Sequence, residues 1–154
     1  MSLGDLFPSG RVAAIAHRGG SKLRPDNTIA AFDHPESIGV DAVECDVHLS
    51  ADDVPVVIHD ATLDRTTNAR GAVGSMSAGD LARLDAGARF GEADGFPFRD
   101  KGIGVPTLAD VVDRHPDLPI VVEVKGDSAR VVPAILKVLR ASRLPHRYLI
   151  GGFS

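Results

Sequence analysis

Five short apolar runs, separated by turn formers and helix-like stretches, constrain this chain more than any other feature. They cover residues 12–16, 41–49, 54–60, 119–125 and 148–154. Each is short enough for a strand and is bounded by Gly, Pro, Asp or Asn, which is the signature of strands rather than of helices. Strands alternating with helical segments predict an α/β fold with a mostly parallel sheet. Four of the runs carry polar residues toward their C-terminal ends: His17-Arg18, Glu44 with Asp46, His59-Asp60, and Glu123 with Lys125. In barrels and open α/β sheets alike, that end of the sheet is where sites are built.

The intervening segments are read from their caps. Asn27 or Thr28 is expected to open a helix through Ile29 to Phe32, which Pro35 then shortens or kinks. Ser77 is a good N-cap for a short helix over 78–85, Thr107 for one over 108–115, and an amphipathic helix is predicted over 128–142. The second and third runs are separated only by Ala51-Asp52-Asp53, so local signals allow a hairpin, while a parallel barrel arrangement is also open. Residues 61–106 lose strand periodicity and are too long for one loop, which predicts an insertion with minor structure of its own.

Composition serves to exclude. At 154 residues the chain is one domain by length, and 44% apolar content is enough for a single core. A net charge of −4 argues against a nucleic-acid partner, which needs a basic surface. One cysteine, Cys45, allows no internal disulfide and points to a reducing, cytoplasmic setting. No apolar run approaches the ~20 residues of a transmembrane segment, and MSLGDLFPSG lacks the regions of a secretory signal.

Glu44 and Asp46 are two apart on a strand, so both carboxylates face one side. Like charges so placed repel unless something positive lies between them. Val43, Cys45 and Val47 would occupy the opposite, buried face. Glu123 and Lys125 repeat the spacing on another strand. Three carboxylates without a cysteine pair suit a hard divalent cation, Mg²⁺ or Ca²⁺, rather than Zn²⁺. If the second and third runs form a hairpin, His59 lies roughly opposite Asp46; if they run parallel, both still lie at the C-terminal mouth. His17 and His59 are then two imidazoles able to exchange acid and base roles near neutral pH. Arg18 and Lys125 supply cationic donors suited to a phosphate. The sum is phosphoester chemistry. His34, His115 and His146 are read as surface residues, His48 as a rim residue and Cys45 as a small buried one.

At these residues the chain resembles the glycerophosphodiester phosphodiesterase family. The matching motifs are AHRGG (16–20), PDNTIAAF (25–32), GVDAVECDVHLSADDVPVVIHDATLDRTTNARG (39–71), LDAG (84–87), VPTLADVV (105–112) and VEVKG (122–126). The resemblance implies a TIM-type (β/α) barrel with a small insertion after the third strand, matching residues 61–106. It implies hydrolysis of a small-molecule glycerophosphodiester substrate to glycerol 3-phosphate and an alcohol, assisted by Mg²⁺ or Ca²⁺. Carried over, His17 and His59 would be the acid/base pair, Glu44, Asp46 and Glu123 the metal ligands, and Arg18 and Lys125 the phosphate contacts.

Three departures stand out. Asp26 occupies a position where the family usually has Glu, a one-methylene change expected to keep a carboxylate hydrogen bond. Pro35 interrupts a helix that is normally alanine-rich. The chain also reaches only its fifth strand, whereas such a barrel needs eight strands and about 250 residues. An incomplete barrel exposes two strand edges, a liability unless covered. The readings are a fragment, a truncated frame, or a half that self-associates with another copy. Beside the hydrolase stand a lysophospholipase-D-like phosphodiesterase and a truncated, non-catalytic binding or assembly module.

Overall fold

The computed structural model describes residues 10–35 and 39–152. The leader reading of residues 1–9, the continuation of the helix past Pro35 and the last two residues of the expected fifth strand lie outside the described residues.

Four strands lie side by side and parallel: β1 (Ile15–Ala16), β2 (Ala42–Leu49), β4 (Ile120–Val124) and β5 (Tyr148–Gly151), in that spatial order. β3 (Pro55–Val57) stands off this path and pairs antiparallel with β2. The hairpin is therefore the arrangement adopted, and its turn chemistry is explicit. Asp53 takes a left-handed conformation at φ 58°. The Ser50 hydroxyl meets Asp52 Oδ1 at 2.6 Å and the Val54 N–H at 3.0 Å. Val47 faces Val57, so Asp46 is level with Ile58, whose N–H reaches the Asp46 carbonyl at 3.0 Å. His59 thus lies one residue past the position opposite Asp46, beyond the strand end. A one-residue offset matters because strand faces alternate with period two.

The sheet carries its core on one face. Val43, Cys45 and Val47 of β2 and Ile120 and Val122 of β4 are all but inaccessible. They pack with Phe32, with Leu108, Val111 and Val112 of α3 (Leu108–Arg114), and with Val131, Ile135 and Leu139 of α4 (Ser128–Ala141). Each such side chain contributes about 1.5–3 kcal/mol on burial. The same alternation turns Glu44, Asp46 and Glu123 to the other face, and parallel register sets Asp46 beside Glu123. β1 is shorter and more exposed than a buried strand: Ile15 is 45% exposed and Val12 is 90% exposed, because β1 pairs on one side only among the described residues.

Residues 61–106 build a second core around Leu63, Val73, Leu81 and Val105, joined by Val56 and Ile58 of the hairpin arm. Its helix, α2 (Ala78–Leu81), is capped by Ser77 but ends four residues earlier than the sequence predicts. The reason is competition for hydrogen bonds. The Leu81 carbonyl accepts the Val105 N–H, and the Ala86 N–H goes to Ile103, so the chain is drawn into cross-links instead of another turn. Gly87 is required here, since a Cβ would lie 2.3 Å from the Phe98 carbonyl oxygen. His115 corrects a surface expectation: it is 5% exposed, with Nε2 3.2 Å from Asp33 Oδ1.

Candidate active site

β1 ends at Ala16 and the chain turns at once through a 3₁₀ segment, His17–Gly19. Gly19 holds φ 76°, and a Cβ there would collide with Ala31 of α1 (Ile29–Phe32) at 2.9 Å, so glycine lets the turn lie against that helix. Arg18 and Asn27 both adopt left-handed backbone, at φ 52° and φ 60°, and the Asn27 N–H donates to the Arg18 carbonyl at 3.1 Å. Two such non-glycine residues cost on the order of 1–3 kcal/mol each and persist only where surrounding contacts hold them.

Those contacts lead to the carboxylates. The Arg18 N–H donates to Glu44 Oε2 at 2.8 Å, and Arg18 Nε lies 3.2 Å from Asp46 Oδ2. Asn27 Nδ2 donates to Asp46 Oδ2 at 2.8 Å while its Oδ1 accepts the Asp46 N–H at 3.2 Å. Lys125 Nζ sits 3.1 Å from Asp46 Oδ1 and also on Glu123 Oε1. Asp46 is fully buried, whereas Glu44 and Glu123 are partly so. His17 Nε2 lies 3.9 Å from Glu44 Oε2, and its ring is largely exposed.

One oxygen from each of Glu44, Asp46 and Glu123 falls within 4.8 Å of the other two. Glu44 Oε1 is buried without a hydrogen-bond donor, and Asp46 Oδ1 is buried with only the Lys125 ammonium beside it. Burial, the largest influence, pushes the Glu44 carboxyl above its ordinary range; the Arg18 N–H opposes this and the charge of Asp46 adds to it. Crowded, partly desolvated, under-satisfied oxygens are what a hard divalent cation takes as ligands. The residues present therefore fit Mg²⁺ or Ca²⁺, with Arg18 and Lys125 supplying the positive charge next to them.

The sequence-predicted residues fall into two groups. His17, Arg18, Glu44, Asp46, Glu123 and Lys125 come together at the C-terminal ends of β1, β2 and β4. His59 stands on the hairpin arm, tied to β2 by His48, whose Nε2 meets the His59 carbonyl at 3.0 Å. His59 Nδ1 lies 2.6 Å from Asp60 Oδ1. Arg65 reaches Asp60 with Nε at 2.7 Å and Asp26 with a terminal nitrogen at 3.1 Å, and Asp26 in turn meets Arg18 at 3.2 Å. An unbroken run of side chains thus joins Arg18 to His59. Asp26 does accept the expected hydrogen bonds. From the sequence Asn27 reads only as a helix cap and Asp60 only as a polar strand-end residue, and Arg65 has no reading of its own, although the runs PDNT and HDATLDRTT contain them.

The chain matches the Glycerophosphoryl diester phosphodiesterase family over residues 17–143. It belongs to that family. The glycerophosphodiester phosphodiesterase of Caldanaerobacter subterraneus is 38% identical to it over 149 residues, which are 94% of this chain and 59% of that protein. Glycerophosphodiester phosphodiesterase 1 of Bos taurus is 37% identical over 86% of this chain and 40% of its own. Among solved structures, the glycerophosphoryl diester phosphodiesterase domain of a Mycobacterium tuberculosis protein superimposes with TM-score 0.85 at 28% identity, covering 94% of this chain and 54% of that one. An Oleispira antarctica phosphodiesterase, in complex with the product sn-glycerol-3-phosphate, superimposes with TM-score 0.76 at 28% identity over 93% of this chain and 58% of its own. The chain spans between two-fifths and three-fifths of these relatives. As a glycerophosphoryl diester phosphodiesterase family member its fold is an incomplete TIM-type barrel, here four parallel strands plus the β2–β3 hairpin.

Proposed function

We propose that this chain carries the first half of a metal-dependent hydrolase site that cleaves glycerophosphodiesters to glycerol 3-phosphate and an alcohol. The observation that carries the reading is the convergence of Glu44, Asp46 and Glu123 beside His17 and Arg18 at the C-terminal ends of parallel strands. The Oleispira antarctica relative, bound to sn-glycerol-3-phosphate, supports the substrate class.

Glu44, Asp46 and Glu123 would hold Mg²⁺ or Ca²⁺. Such a cation, when bound, polarises a phosphoryl oxygen or a hydroxyl. Arg18 and Lys125 orient the phosphate and balance its charge. His17 and His59 divide the proton transfers: one takes the proton of the attacking water or hydroxyl as the new P–O bond forms. The other gives a proton to the leaving alkoxide as the old P–O bond breaks. In this reading residues 61–106 are an insertion that carries the Arg65 side of the site. A cytoplasmic location accords with a single, buried cysteine; among the described residues no helix is long and apolar enough to cross a membrane. A second copy would cover the edges of β1 and β5, which are unpaired on their outer sides among the described residues.

The test is release of glycerol 3-phosphate from glycerophosphocholine, with and without EDTA. Turnover that survives chelation removes the metal assignment, and full activity in His17→Ala or His59→Ala removes the acid/base roles. Choline release from lysophosphatidylcholine alone would move the reading to a lysophospholipase-D-like enzyme. A folded chain with neither turnover nor cation binding would make it a binding module.

A further inference from the structure

We propose that Arg65 is a positioning residue that aligns both sides of the site at once, holding Asp60 against His59 and Asp26 against Arg18 through one guanidinium. The inference rests on the hydrolase reading for its catalytic meaning, but its geometry stands by itself. Arg65 Nε donates to Asp60 Oδ2 at 2.7 Å, and one terminal nitrogen is shared between Asp60 Oδ1 at 3.2 Å and Asp26 Oδ2 at 3.1 Å. Both carboxylates also meet a site residue: Asp60 meets His59 Nδ1 at 2.6 Å, and Asp26 meets Arg18 at 3.2 Å.

The bland reading is a surface salt bridge, worth about 0–1 kcal/mol. Three observations go further. The two carboxylates are largely sheltered, Asp26 at 11% and Asp60 at 28% side-chain exposure, although Arg65 itself is half exposed. The contact is a two-donor fork onto Asp60, a geometry that fixes orientation as well as charge, and lysine cannot reproduce it. The backbone carrying Arg65 is pinned: Thr67 is fully buried, its hydroxyl donates to the Leu63 carbonyl at 2.9 Å, and it accepts the Ala69 N–H at 3.0 Å. Arg65 thus reaches from a segment tied down on either side at Leu63 and Thr67 to Asp26 in the loop after the β1 turn.

The consequence is a choice of nitrogen. With Asp60 ionised and fixed, the neutral His59 ring donates its Nδ1–H to that carboxylate, leaving Nε2 as the nitrogen that exchanges protons with substrate. The Arg65 guanidinium, the largest influence, holds the Asp60 carboxyl at about 2, so the acceptor stays charged throughout the neutral range. Releasing Arg65 frees Asp60 to rotate, lets the His59 ring sample both tautomers, and loosens Asp26 from Arg18.

Long-range ¹H–¹⁵N spectra of histidine-labelled full chain, recorded where the rings are neutral, read this directly; His59→Gln assigns the ring. His59 is expected to show the Nδ1–H tautomer. Asp60→Asn and Arg65→Ala should mix the tautomers, and Arg65→Lys should not restore the single form. Turnover of glycerophosphocholine should fall about 100-fold in kcat in Arg65→Ala, as for a misplaced reacting group, with partial recovery on adding guanidinium ion. Arg83→Ala, which removes an exposed ion pair on the same insertion, should change neither readout. A His59 tautomer that is mixed in the native chain, or unmoved by both Asp60→Asn and Arg65→Ala, overturns the proposal. If Arg65→Ala does not fold, Asp60→Asn and Arg65→Lys decide alone. Native chain with neither turnover nor cation binding would defeat the hydrolase reading and leave the tautomer result standing.

Discussion

Asn27 holds both the main chain and the carboxylate of Asp46, and it does so from a left-handed backbone that few side chains tolerate. The fully buried Asp46 would lose a charge-assisted donor in Asn27→Ala, and alanine also pays for positive φ. We expect a loss of about 3 kcal/mol in urea-unfolding stability. Asn27→Gly relieves the backbone part alone, so recovering most of the loss would show that the side-chain bonds contribute little. Asp60 supplies a pH signature. Its carboxyl is lowered from 3.8 to about 2, chiefly by Arg65, so the stability it contributes is fully present above pH 3.8. That contribution is lost as pH falls toward 2. The stability difference between native chain and Asp60→Asn should therefore shrink between pH 4 and pH 2, and a constant difference would dissociate Asp60 from acid unfolding. At this scale the site was half legible. Glu44, Asp46 and Glu123 announce themselves by period-two spacing, whereas Asn27 reads as a helix cap and Arg65 lies in a segment without strand periodicity. Their roles depend on which distant carboxylate they meet, which no local pattern encodes.

Elements were legible where local chemistry decides them and not where distant partners do. Thr107 and Asp110 form a reciprocal capping box: the Thr107 hydroxyl accepts the Asp110 N–H at 3.0 Å, and the Asp110 carboxylate accepts the Thr107 N–H at 2.9 Å. The helix that follows starts where the sequence predicts and ends one residue earlier, at Arg114. Thr107→Ala should cost about 1 kcal/mol and should do so in Thr107→Val as well, since shape is then kept and the cap lost. A Thr107→Val chain as stable as the native one would mean that packing against β3 does the holding. α2 went the other way: its periodicity continues to residue 85, but the Leu81 carbonyl is claimed by Val105, twenty-four positions along the chain. The β2–β3 pair falls between these cases. Its turn residues made a hairpin available, and only the observed register put His59 beyond the strand, onto the arm that Asp60 and Arg65 then steady.

For the whole molecule the decisive quantity is the unpaired edge. Among the described residues β1 pairs only with β2 and β5 only with β4, and both edge strands expose apolar side chains, Ile15 at 45% and Leu149 at 37%. Unpaired N–H and C=O groups beside apolar surface form a template for another strand. The metal side and the edge side are separable because the carboxylates sit on the inner strands β2 and β4. Bound cation should thus stabilise the chain whether or not the edges are covered. At a cation concentration 100 times Kd the gain is about 2.7 kcal/mol, measured as a rise in Tm that EDTA reverses and Asp46→Asn abolishes. Edge pairing should instead depend on protein concentration. We expect the 154-residue chain to gain mass with concentration in sedimentation experiments. Ile15→Lys and Leu149→Lys should each return it to monomer, because a charged side chain on an open edge strand opposes strand addition. Ile15 and Leu149 share the carboxylates' sheet face but lie on the outer strands, level with Ala42 and Val121 and two residues short of Glu44 and Glu123, so cation-induced stabilisation should persist in both. A chain that stays monomeric at every concentration would remove the second-copy pairing. A chain whose association survives both lysines would move the contact elsewhere, to the apolar groove that Val112 of α3 and Ala134 and Val138 of α4 line beside Val54 and Pro55.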